Sequence, residues 1–499
     1  MKYKTVGIIG CAVVLIAGII NWHAVFKTDE GTRYHQHLEA QEKKQCTQDH
    51  SDGELCTHLP LVCIDTGGKT IPGSMGRNAE KKAAEADVAA NGTEEERICA
   101  HMYIADSETE YNHPSDVPTV SSDILIHVRG NSSRYFDKLN YRIKLVDENG
   151  ENNPQSLIGM DAHHEWALHG PFLDKTLIRN YMMYNIAGEI MDYSPNVRFC
   201  ELMLNGEYMG VYVLTELIDE GSNGARLELA IDEKNDTYTG YLLRLDREDF
   251  DRTDNLNSFS SYTMRKSKAL KLNVEFPGPT MLNEDIKKSI NDDFSRFEKL
   301  LYSYDYNNKK YGYKNFIDMD SFAEYFIINE FTGNYDAGTY STYIYKDTDG
   351  KLKMCVWDFN NSCDNFQEEP HSPVQSFRMQ NKLWFNMLTK DEDFVECVIA
   401  KYKSLRKSYL SDEYLSEYID DTVKYLGPAV ERNYERWEDS FRSNSLLRPA
   451  ERNIRSYEDA LKQLKFYLLK RGKWMDENID SLRQFCAESK VKIYNENTD

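Results

Sequence analysis

The pattern of apolar and polar positions divides the chain into a front part rich in strands and a back part rich in helices. Alternating apolar residues, which are typical of strands with one buried face, recur between residues 59 and 276. After a proline- and glycine-rich break at 277–279, the apolar spacing changes to that of helices and includes a long helical tail from Leu383 to about Arg483. In the front part, Asp174 can cap one helix from Lys175 to about Met191. We therefore predict an α+β protein with a β-rich N-terminal lobe at 59–276 and a helical C-terminal lobe at 277–499.

One hairpin interrupts the predicted helices, with strands at 339–346 and 352–357. Asp336 precedes its first strand and Asp358 follows its second. Because antiparallel pairing joins these ends, we expect the two carboxylates to lie within about 10 Å of each other. They could both bind Mg²⁺ or Mn²⁺, or one could bind metal while the other orients a hydroxyl group. The alternative is that both are ordinary strand-end and turn residues.

The chain begins with a segment that has the pattern of a membrane anchor. Lys2 and Lys4 precede a near-continuous apolar run over 6–20, and no small-x-small pattern closes that run. This pattern favours one uncleaved transmembrane helix at 1–26 over a cleaved signal peptide. The basic N-terminus then lies in the cytoplasm, and a polar stalk at 27–58 leads to an extracytoplasmic body at the cell or forespore surface.

Composition and charge exclude several function classes. Asp and Glu number 82 against 60 Lys and Arg, for a net charge of −22. This excess argues against nucleic-acid binding, which needs clustered basic residues, and favours a basic or metal-bridged partner. The 10 Cys residues lack zinc-finger spacing, and the common hydrolase, P-loop and zinc-protease motifs are absent from the sequence.

Several motifs, taken in order, carry a resemblance to a known family. The sequence Asn-Glu-Phe-x-x-Asn-x-Asp at 329–336 and Trp-Asp-Phe at 357–359 resemble the C-lobe signature of the CotH (spore coat protein H) kinase family. Arg-Gly-Asn-Ser-Ser at 129–133, followed by Tyr-x-Ile-Lys-Leu at 141–145, resembles its N-lobe signature. Further similar motifs follow in the same order at 177–180, 210–216 and 240–243.

The resemblance implies an atypical protein-kinase-like bilobed fold that transfers the γ-phosphoryl group of ATP to Ser or Thr of a protein, with Mg²⁺ or Mn²⁺. By this analogy Asp336 is the catalytic-loop aspartate and Asp358 binds the metal. Asn334 and Asn360 are further candidate metal ligands, although Asn334 could simply cap the chain. Asn360 stands where the family often has Asp, which weakens a metal site without abolishing it.

The candidate nucleotide-binding residues lie mainly in the N-lobe motifs. Lys144 is the predicted phosphate-pairing cation and shares catalysis with Asp336, because it follows the turn by one strand on the polar face; a solvated strand lysine is the alternative. Arg179 could bind a phosphate or tie its helix to an acidic residue. Glu216 and Glu189 are both possible partners of Lys144. The other predicted nucleotide contacts are Arg129, Gly130, Asn131, Ser132 and Ser133.

Two alternatives to an active protein kinase remain open. The chain could be a catalytically weak surface module for binding or assembly, since a fold does not define a function, or a transferase acting on a surface glycan or small molecule. The presence of Asp336, Asp358 and Lys144 together favours the enzyme. The expected partners are then ATP, a divalent metal, a protein substrate at the cell or spore surface and the membrane, with no nucleic acid.

Overall fold

A computed structural model describes the chain over ten ranges. They are residues 33–44, 54–75, 97–221, 226–230, 240–247, 254–256, 270–348, 350–367, 374–443 and 446–487. The predicted anchor at 1–26 lies outside these residues, and the predicted stalk lies partly outside them. Within the ranges that are described, no helix has both the length and the apolar character needed to cross a bilayer.

The fold is mixed α+β, as the sequence predicts. The strands are β1 (Leu61–Asp65), β2 (Ile98–Ala105), β3 (Val120–Arg129), β4 (Asn140–Val146), β5 (Gln155–Leu157), β6 (Met160–His163), β7 (Glu165–His169), β8 (Val197–Leu204), β9 (Glu207–Glu216), β10 (Tyr241–Arg247), β11 (Asn255–Leu256), β12 (Leu270–Phe276), β13 (Thr342–Lys346) and β14 (Lys353–Cys355). The helices are α1 (Gln36–Glu39), α2 (Arg179–Ile190), α3 (Glu284–Leu301), α4 (Met319–Thr332), α5 (Phe385–Leu388), α6 (Glu392–Leu405), α7 (Asp412–Leu426), α8 (Pro428–Trp437), α9 (Asp439–Arg442) and α10 (Tyr457–Asn478).

The early strands close into a barrel in the order β1-β2-β3-β4-β7-β9-β8. Neighbouring strands pair antiparallel except β1 and β8, whose parallel pairing closes the barrel. Its core is apolar and includes Tyr141, Ile143 and Leu145 of β4. Because successive side chains of a strand point to opposite faces, Arg142 and Lys144 lie on the outer face of the barrel.

A second sheet has the order β11-β12-β10-β13-β14. Its last two strands are the hairpin that the sequence predicts, with Tyr343 opposite Cys355. The first strand begins at Thr342 instead of 339, because the Asp336 carbonyl accepts the N–H groups of Thr339 and Tyr340 in a turn. This sheet takes strands from both sides of residue 277, and the predicted lobe boundary there stays a prediction.

Helix α2 begins later than the predicted start at Lys175. Leu177 has a φ of +67°, a conformation that interrupts a helix. The N-cap residue is Ile178, whose side chain makes no cap hydrogen bond, so the predicted cap at Asp174 is wrong. The first turn of the predicted helix is an irregular loop, in which the Asp174 carboxylate accepts the N–H groups of Thr176 at 3.0 Å and of Arg179 at 2.9 Å.

Helix α4 lies at the centre of the larger core. Phe322 and Phe326 pack from α4 against Phe385 of α5, and Phe326 also packs against Phe394 of α6. The predicted long helical tail is a series of helices, because Gly427, at a φ of +45°, separates α7 from α8. This packing fixes α4, whose C-terminal end carries the candidate site.

Candidate active site

The site begins where α4 ends. Gly333 adopts a left-handed conformation with a φ of +56°, and its N–H closes the helix on the carbonyls of Asn329 and Glu330. Glycine is favoured there because its lack of a Cβ atom removes the steric cost of positive φ. The chain then turns away from the helix axis, so that Asn334 and Asp336 project beyond its end.

Asn334 connects the helix end to the hairpin. Its side-chain amide donates to Asn329 Oδ1 at 3.0 Å and to the carbonyl oxygen of Asp358 at 3.1 Å. Asn334 is buried, and its Oδ1 atom has no hydrogen-bond partner among the residues that the structure describes. A buried amide oxygen without a donor is costly unless a ligand completes it.

Helix α2 positions Asp358. The N–H of Asp358 donates to Tyr184 Oη at 2.9 Å, and the next N–H, of Phe359, donates to Asn180 Oδ1 at 2.7 Å. Asp358 has a φ of +56°, and its Oδ1 accepts the N–H of Asn360 at 3.1 Å. These contacts hold the carboxylate in a tight turn after β14.

Asp336 lies beside Asp358, and Asn361 connects their loops. The Asn361 side-chain amide donates to Asp336 Oδ2 at 2.8 Å. The two carboxylates are close enough that the charge of Asp336 raises the pKa of Asp358. The geometry therefore brings the predicted pair together at the open end of the hairpin.

Burial and like charge shift the acidity of both carboxyl groups. Burial, with Asp336 adding to it, raises the pKa of Asp358 to about 6, against the opposing effects of Asn360 and Arg129. Burial also raises the pKa of Asp336, although Asn361, Arg247 and Lys382 oppose that rise. A cation between the two carboxylates would favour their charged forms.

The oxygen atoms of this site suit a hard divalent cation. Asp336, Asp358 and the Oδ1 atom of Asn334 together offer carboxylate and amide oxygens, which Mg²⁺ and Mn²⁺ prefer. In the described part of the chain, no group of three or more His, Cys, Asp or Glu residues is arranged to hold a metal. Metal binding here would thus depend on few protein ligands, with phosphate oxygens and water completing the set. Asn360 already uses its N–H on Asp358 and its Oδ1 on Asn180 at 3.5 Å.

Arg129, at the end of β3, is the cation that faces Asp358. Its guanidinium lies 5.2 Å from the ring centre of Trp357, the residue before Asp358. Burial lowers the pKa of Arg129, whereas Tyr343 and Asp358 raise it. The barrel therefore directs one predicted nucleotide contact towards the hairpin.

The turn after Arg129 depends on Gly130. Gly130 has a φ of +107°, and a Cβ atom at this position would lie 2.0 Å from Ser133 Oγ. Asn131 and Ser132 are exposed, and Ser133 is half-buried. These three residues follow Arg129 closely in the chain. Their role in phosphate binding stays a prediction.

Lys144 lies on β4, on the outer face of the barrel. It is half-buried and stands opposite Glu165 of β7 in the strand register. Glu165 forms ion pairs with Arg142 and Arg97. Glu165 is not among the acidic residues predicted as partners of Lys144, although the sequence places it directly after the His163-His164 pair.

The two acidic residues considered as partners of Lys144 have other contacts. Glu216 is fully buried at the end of β9, and its Oε2 atom accepts the backbone N–H of Asn196 at 2.8 Å. Glu189 contacts His35 Nε2 at 2.8 Å and accepts from Tyr409 Oη at 3.1 Å. Glu165 is therefore the acidic residue that the register places opposite Lys144.

Of the two roles predicted for Arg179, its contacts fit the one in which it ties its helix to an acidic residue, and not phosphate binding. It is 1% exposed and forms an ion pair with Asp174. Its other guanidinium contacts are with Thr176 Oγ1, Gln463 Oε1 and the carbonyl oxygens of Ser362 and Cys363. All five guanidinium N–H groups are thus accounted for inside the protein. The expectation that Arg179 contacts phosphate is wrong for this geometry, because no donor remains to reach a ligand.

Other residues of the site were not predicted as site residues. They are Asn180, Tyr184, Arg247, Asn361 and Lys382, which come from distant parts of the chain. Asn180 lies in the motif at 177–180 and Asn361 follows the motif at 357–359, but the contact of Asn361 with Asp336 depends on how the loop after β14 folds. Their roles become visible only when the elements are assembled.

Comparison with known proteins agrees with this arrangement of motifs. The inner spore coat protein H of Bacillus subtilis (strain 168) is 22% identical to the chain over 364 residues, which is 72% of this chain and 88% of that protein. The sequence pattern of the CotH kinase protein family matches residues 126–475. Since that match covers well over half of the sequence and includes Asp336, Asp358 and the Arg129 turn, the chain belongs to the CotH kinase protein family.

Proposed function

We propose that the chain is a CotH-type protein kinase that transfers the γ-phosphoryl group of ATP to Ser or Thr hydroxyls with the help of Mg²⁺ or Mn²⁺. The observation that carries this proposal is the convergence of Asp336 and Asp358 near Asn334, whose Oδ1 atom has no partner in the described part of the chain. Two carboxylates and an amide oxygen next to the cation Arg129 are what phosphoryl transfer requires, because it depends on positioning and charge neutralisation.

Each residue of the site has a distinct role in this proposal. Asp358 and Asn334 would hold the metal, which when bound would supply positive charge to the phosphate oxygens. Asp336, oriented by Asn361, accepts a hydrogen bond from the acceptor hydroxyl and takes its proton as transfer proceeds. Arg129 offsets negative charge on the phosphates.

The proposal also includes the lobes of the fold and the cellular location of the protein. The barrel acts as the N-terminal lobe of an atypical kinase-like bilobed fold, and the helices around α4 act as its C-terminal lobe. The N-terminal segment anchors the protein, and the body works outside the cytoplasm. The name of the Bacillus subtilis relative, an inner spore coat protein, supports a protein acceptor at the spore surface.

One observation supports a binding or assembly module as a second candidate function. The sequence predicts Lys144 as the phosphate-pairing cation from its place after the turn, yet Lys144 stands opposite Glu165, and Arg129 is a cation that faces Asp358. If Arg129 cannot replace it, catalysis would be weak while the fold stays intact.

Transfer of labelled phosphate from ATP by the purified full-length chain tests the proposal. We expect incorporation into the chain itself or a Ser-rich protein with Mg²⁺ or Mn²⁺, and a decrease of about 100-fold or more in Asp358→Asn, because a charged group at the reacting centre is lost. Asp364→Asn is the matched control, since Asp364 lies in the same segment but pairs with Arg452.

A negative result with both metals, together with no shift in Tm on adding ATP, would support the binding module instead. Incorporation that persists in Asp358→Asn would mean that the metal site lies elsewhere.

A further inference from the structure

A short segment that follows the predicted anchor docks on the folded body. Gln36 is 3% exposed. Its side-chain amide donates to the carbonyl oxygen of Phe199 in β8, and its Oε1 atom accepts the N–H of the same residue. Strand β1 pairs with β8 only from Glu201 onwards, so Gln36 binds a part of that strand edge that β1 does not reach. We call His35, Gln36 and His37 the docking residues.

The two histidines of this segment contact helix α2. His35 Nε2 lies 2.8 Å from Glu189 Oε1. The backbone N–H of His37 donates to Tyr181 Oη at 3.1 Å, and His37 Nδ1 lies 2.9 Å from the same hydroxyl oxygen. Along an α-helix, Tyr181 and Glu189 are separated by about 12 Å. The docking residues therefore hold α2 at two separate points.

Aromatic packing connects these contacts with one another. The ring of Tyr181 stacks on that of Phe199 with 4.1 Å between their centres, and the ring of His37 lies 4.3 Å from that of Tyr418 in α7. Tyr181 and Phe199 are both fully buried. Because Gln36 binds the backbone of Phe199 and Phe199 packs on Tyr181, the contacts of the docking residues belong to one connected group.

Helix α2 also holds the loop that carries Asp358. Tyr184 Oη accepts the N–H of Asp358, and Asn180 Oδ1 accepts the N–H of Phe359. Tyr184 lies one turn after Asn180, on the same side of the helix, and Tyr181 stands between them in the sequence. Most of α2 is buried, and a closely packed interior transmits displacements. A shift of α2 at Tyr181 therefore moves both groups that hold the loop.

Arg179 holds the first turn of α2 and the docking residues hold its later part. Arg179 binds the carbonyl oxygens of Ser362 and Cys363, whereas the N-cap residue Ile178 makes no side-chain cap hydrogen bond. The contact at Glu189 lies in the last turn of the helix, about 15 Å further along. Contacts at both ends set the direction of a helix, so the direction of α2 depends on the docking residues.

We propose that His35, Gln36 and His37 are positioning residues of the active site, which act through α2 on Asp358 and thereby on the affinity of the site for its divalent metal. The inference rests on the proposed function, which makes Asp358 a metal ligand. Residues that orient a metal ligand from outside change the metal affinity when they are lost. The docked segment thus contributes to phosphate transfer as well as to attachment.

The metal dependence of phosphate transfer by the full-length chain tests the proposal. We expect the Mn²⁺ concentration that gives the half-maximal rate to rise by about fivefold or more in Gln36→Ala, because a ligand loop that is held less firmly binds metal less tightly. A purely structural role predicts a different result. Loss of folded protein lowers the rate by the same factor at every Mn²⁺ concentration and leaves the half-maximal concentration unchanged.

Leu38→Ala is the matched control, because Leu38 belongs to the same segment and is 56% exposed; it should leave the half-maximal concentration unchanged. Tyr181→Phe is a second variant for the case that Gln36→Ala does not fold, since it removes only the hydroxyl that His37 contacts and keeps the ring on Phe199. It should raise the half-maximal concentration by about threefold. An unchanged concentration in either folded variant, or an equal rise in Leu38→Ala, overturns the proposal.

Hydrogen exchange at the amides of Asp358 and Phe359 separates this proposal from the proposed function. Both amides donate to α2, so they should exchange faster in Gln36→Ala than in the wild-type chain. Faster exchange, in a protein whose wild-type form transfers no phosphate, would sustain the positioning role and contradict the kinase. Phosphate transfer with unchanged exchange and unchanged metal dependence would sustain the kinase and contradict the positioning role.

Discussion

Single buried side chains connect parts of this chain that are far apart in the sequence. Arg179 uses every N–H group of its guanidinium on partners from its own loop, from the segment after Asp358 and from α10. Its ionic partner Asp174 is 1% exposed. A buried charge is tolerated only when it is paired and hydrogen-bonded, so this residue affects the site through the fold.

We expect Arg179→Met to lower the free energy of unfolding by about 3–5 kcal/mol, because it leaves the charge of Asp174 buried without its partner. Urea denaturation measures the change. Arg442→Met removes an exposed helical ion pair and should change the free energy by no more than about 0.5 kcal/mol. Equal losses in the two variants would contradict the structural role of Arg179.

His163 makes stability depend on pH. Its Nδ1 atom accepts the N–H of Glu165 at 3.0 Å, which requires the neutral ring. Burial, with Arg226 and His164 adding to it, lowers the pKa of His163 from 6.5 to about 3. The unfolded chain therefore binds a proton below pH 6.5 that the folded chain does not bind, so stability is complete above pH 6.5 and decreases as the pH falls towards 3.

Between pH 7 and pH 5 this residue should remove about 2 kcal/mol from the free energy of unfolding. Urea denaturation at both pH values should show a correspondingly smaller decrease in His163→Gln. His101→Gln, at a half-exposed histidine, should keep the wild-type decrease. A variant at His163 that retains the full decrease would assign the effect to other groups.

At the level of elements, the site is built from the ends of secondary structures. Helix α4 ends at Thr332 with Gly333 as its C-cap, β3 ends at Arg129, and β14 ends three residues before Asp358. Each element is rigid because it packs in a core, and each end carries a polar residue that the core would not accept. The turns that follow these ends therefore decide how accurately the polar groups meet.

The turn after β3 provides a test at this scale. Gly130→Ala places a Cβ atom 2.0 Å from Ser133 Oγ at a φ of +107°, so it adds a clash to backbone strain. Gly150→Ala adds only the strain, since Gly150 has a φ of +82° and no atom within 4 Å of the added Cβ.

We expect the loss of unfolding free energy in Gly130→Ala to exceed that in Gly150→Ala by about 1 kcal/mol or more. Thermal denaturation compares the two, and Ser133→Ala in the Gly130→Ala background should recover the difference. Equal losses, or no recovery, would mean that the turn accommodates the clash at no cost.

In the whole molecule, a segment next to the predicted anchor packs on the folded body. The Gln36 side chain exchanges two hydrogen bonds with the backbone of Phe199, at 3.1 and 2.7 Å. His35 and His37 contact Glu189 and Tyr181. Part of the predicted stalk is therefore attached to the barrel and to α2.

Removal of residues 1–44 should lower Tm by about 3 °C or more relative to removal of residues 1–34, because it exposes these polar and aromatic partners. Scanning calorimetry of the two proteins measures the difference. Gln36→Ala in the longer protein should reproduce part of the decrease. Identical Tm values would show that residues 35–44 add no stability.

Sequence reasoning reached the α+β class, the hairpin and the Asp336 and Asp358 pair. It did so because strand alternation and hairpin pairing act between residues close along the chain. It misjudged the start of α2, where the positive φ of Leu177 breaks the helical pattern. The phosphate-pairing role of Lys144 stays a prediction, and only the strand register shows that Glu165 lies opposite it.

Local patterns in the amino-acid sequence account for the identity of the elements, the family motifs and the convergence of two aspartates at one hairpin, since each depends on short-range backbone chemistry. The parallel closure of the barrel between β1 and β8 and the approach of Arg129 to Asp358 depend on residues far apart in the chain. These long-range contacts form because a buried polar group needs a hydrogen-bond or ionic partner, and packing determines which residues come near it. No local pattern specifies which distant residue that partner will be.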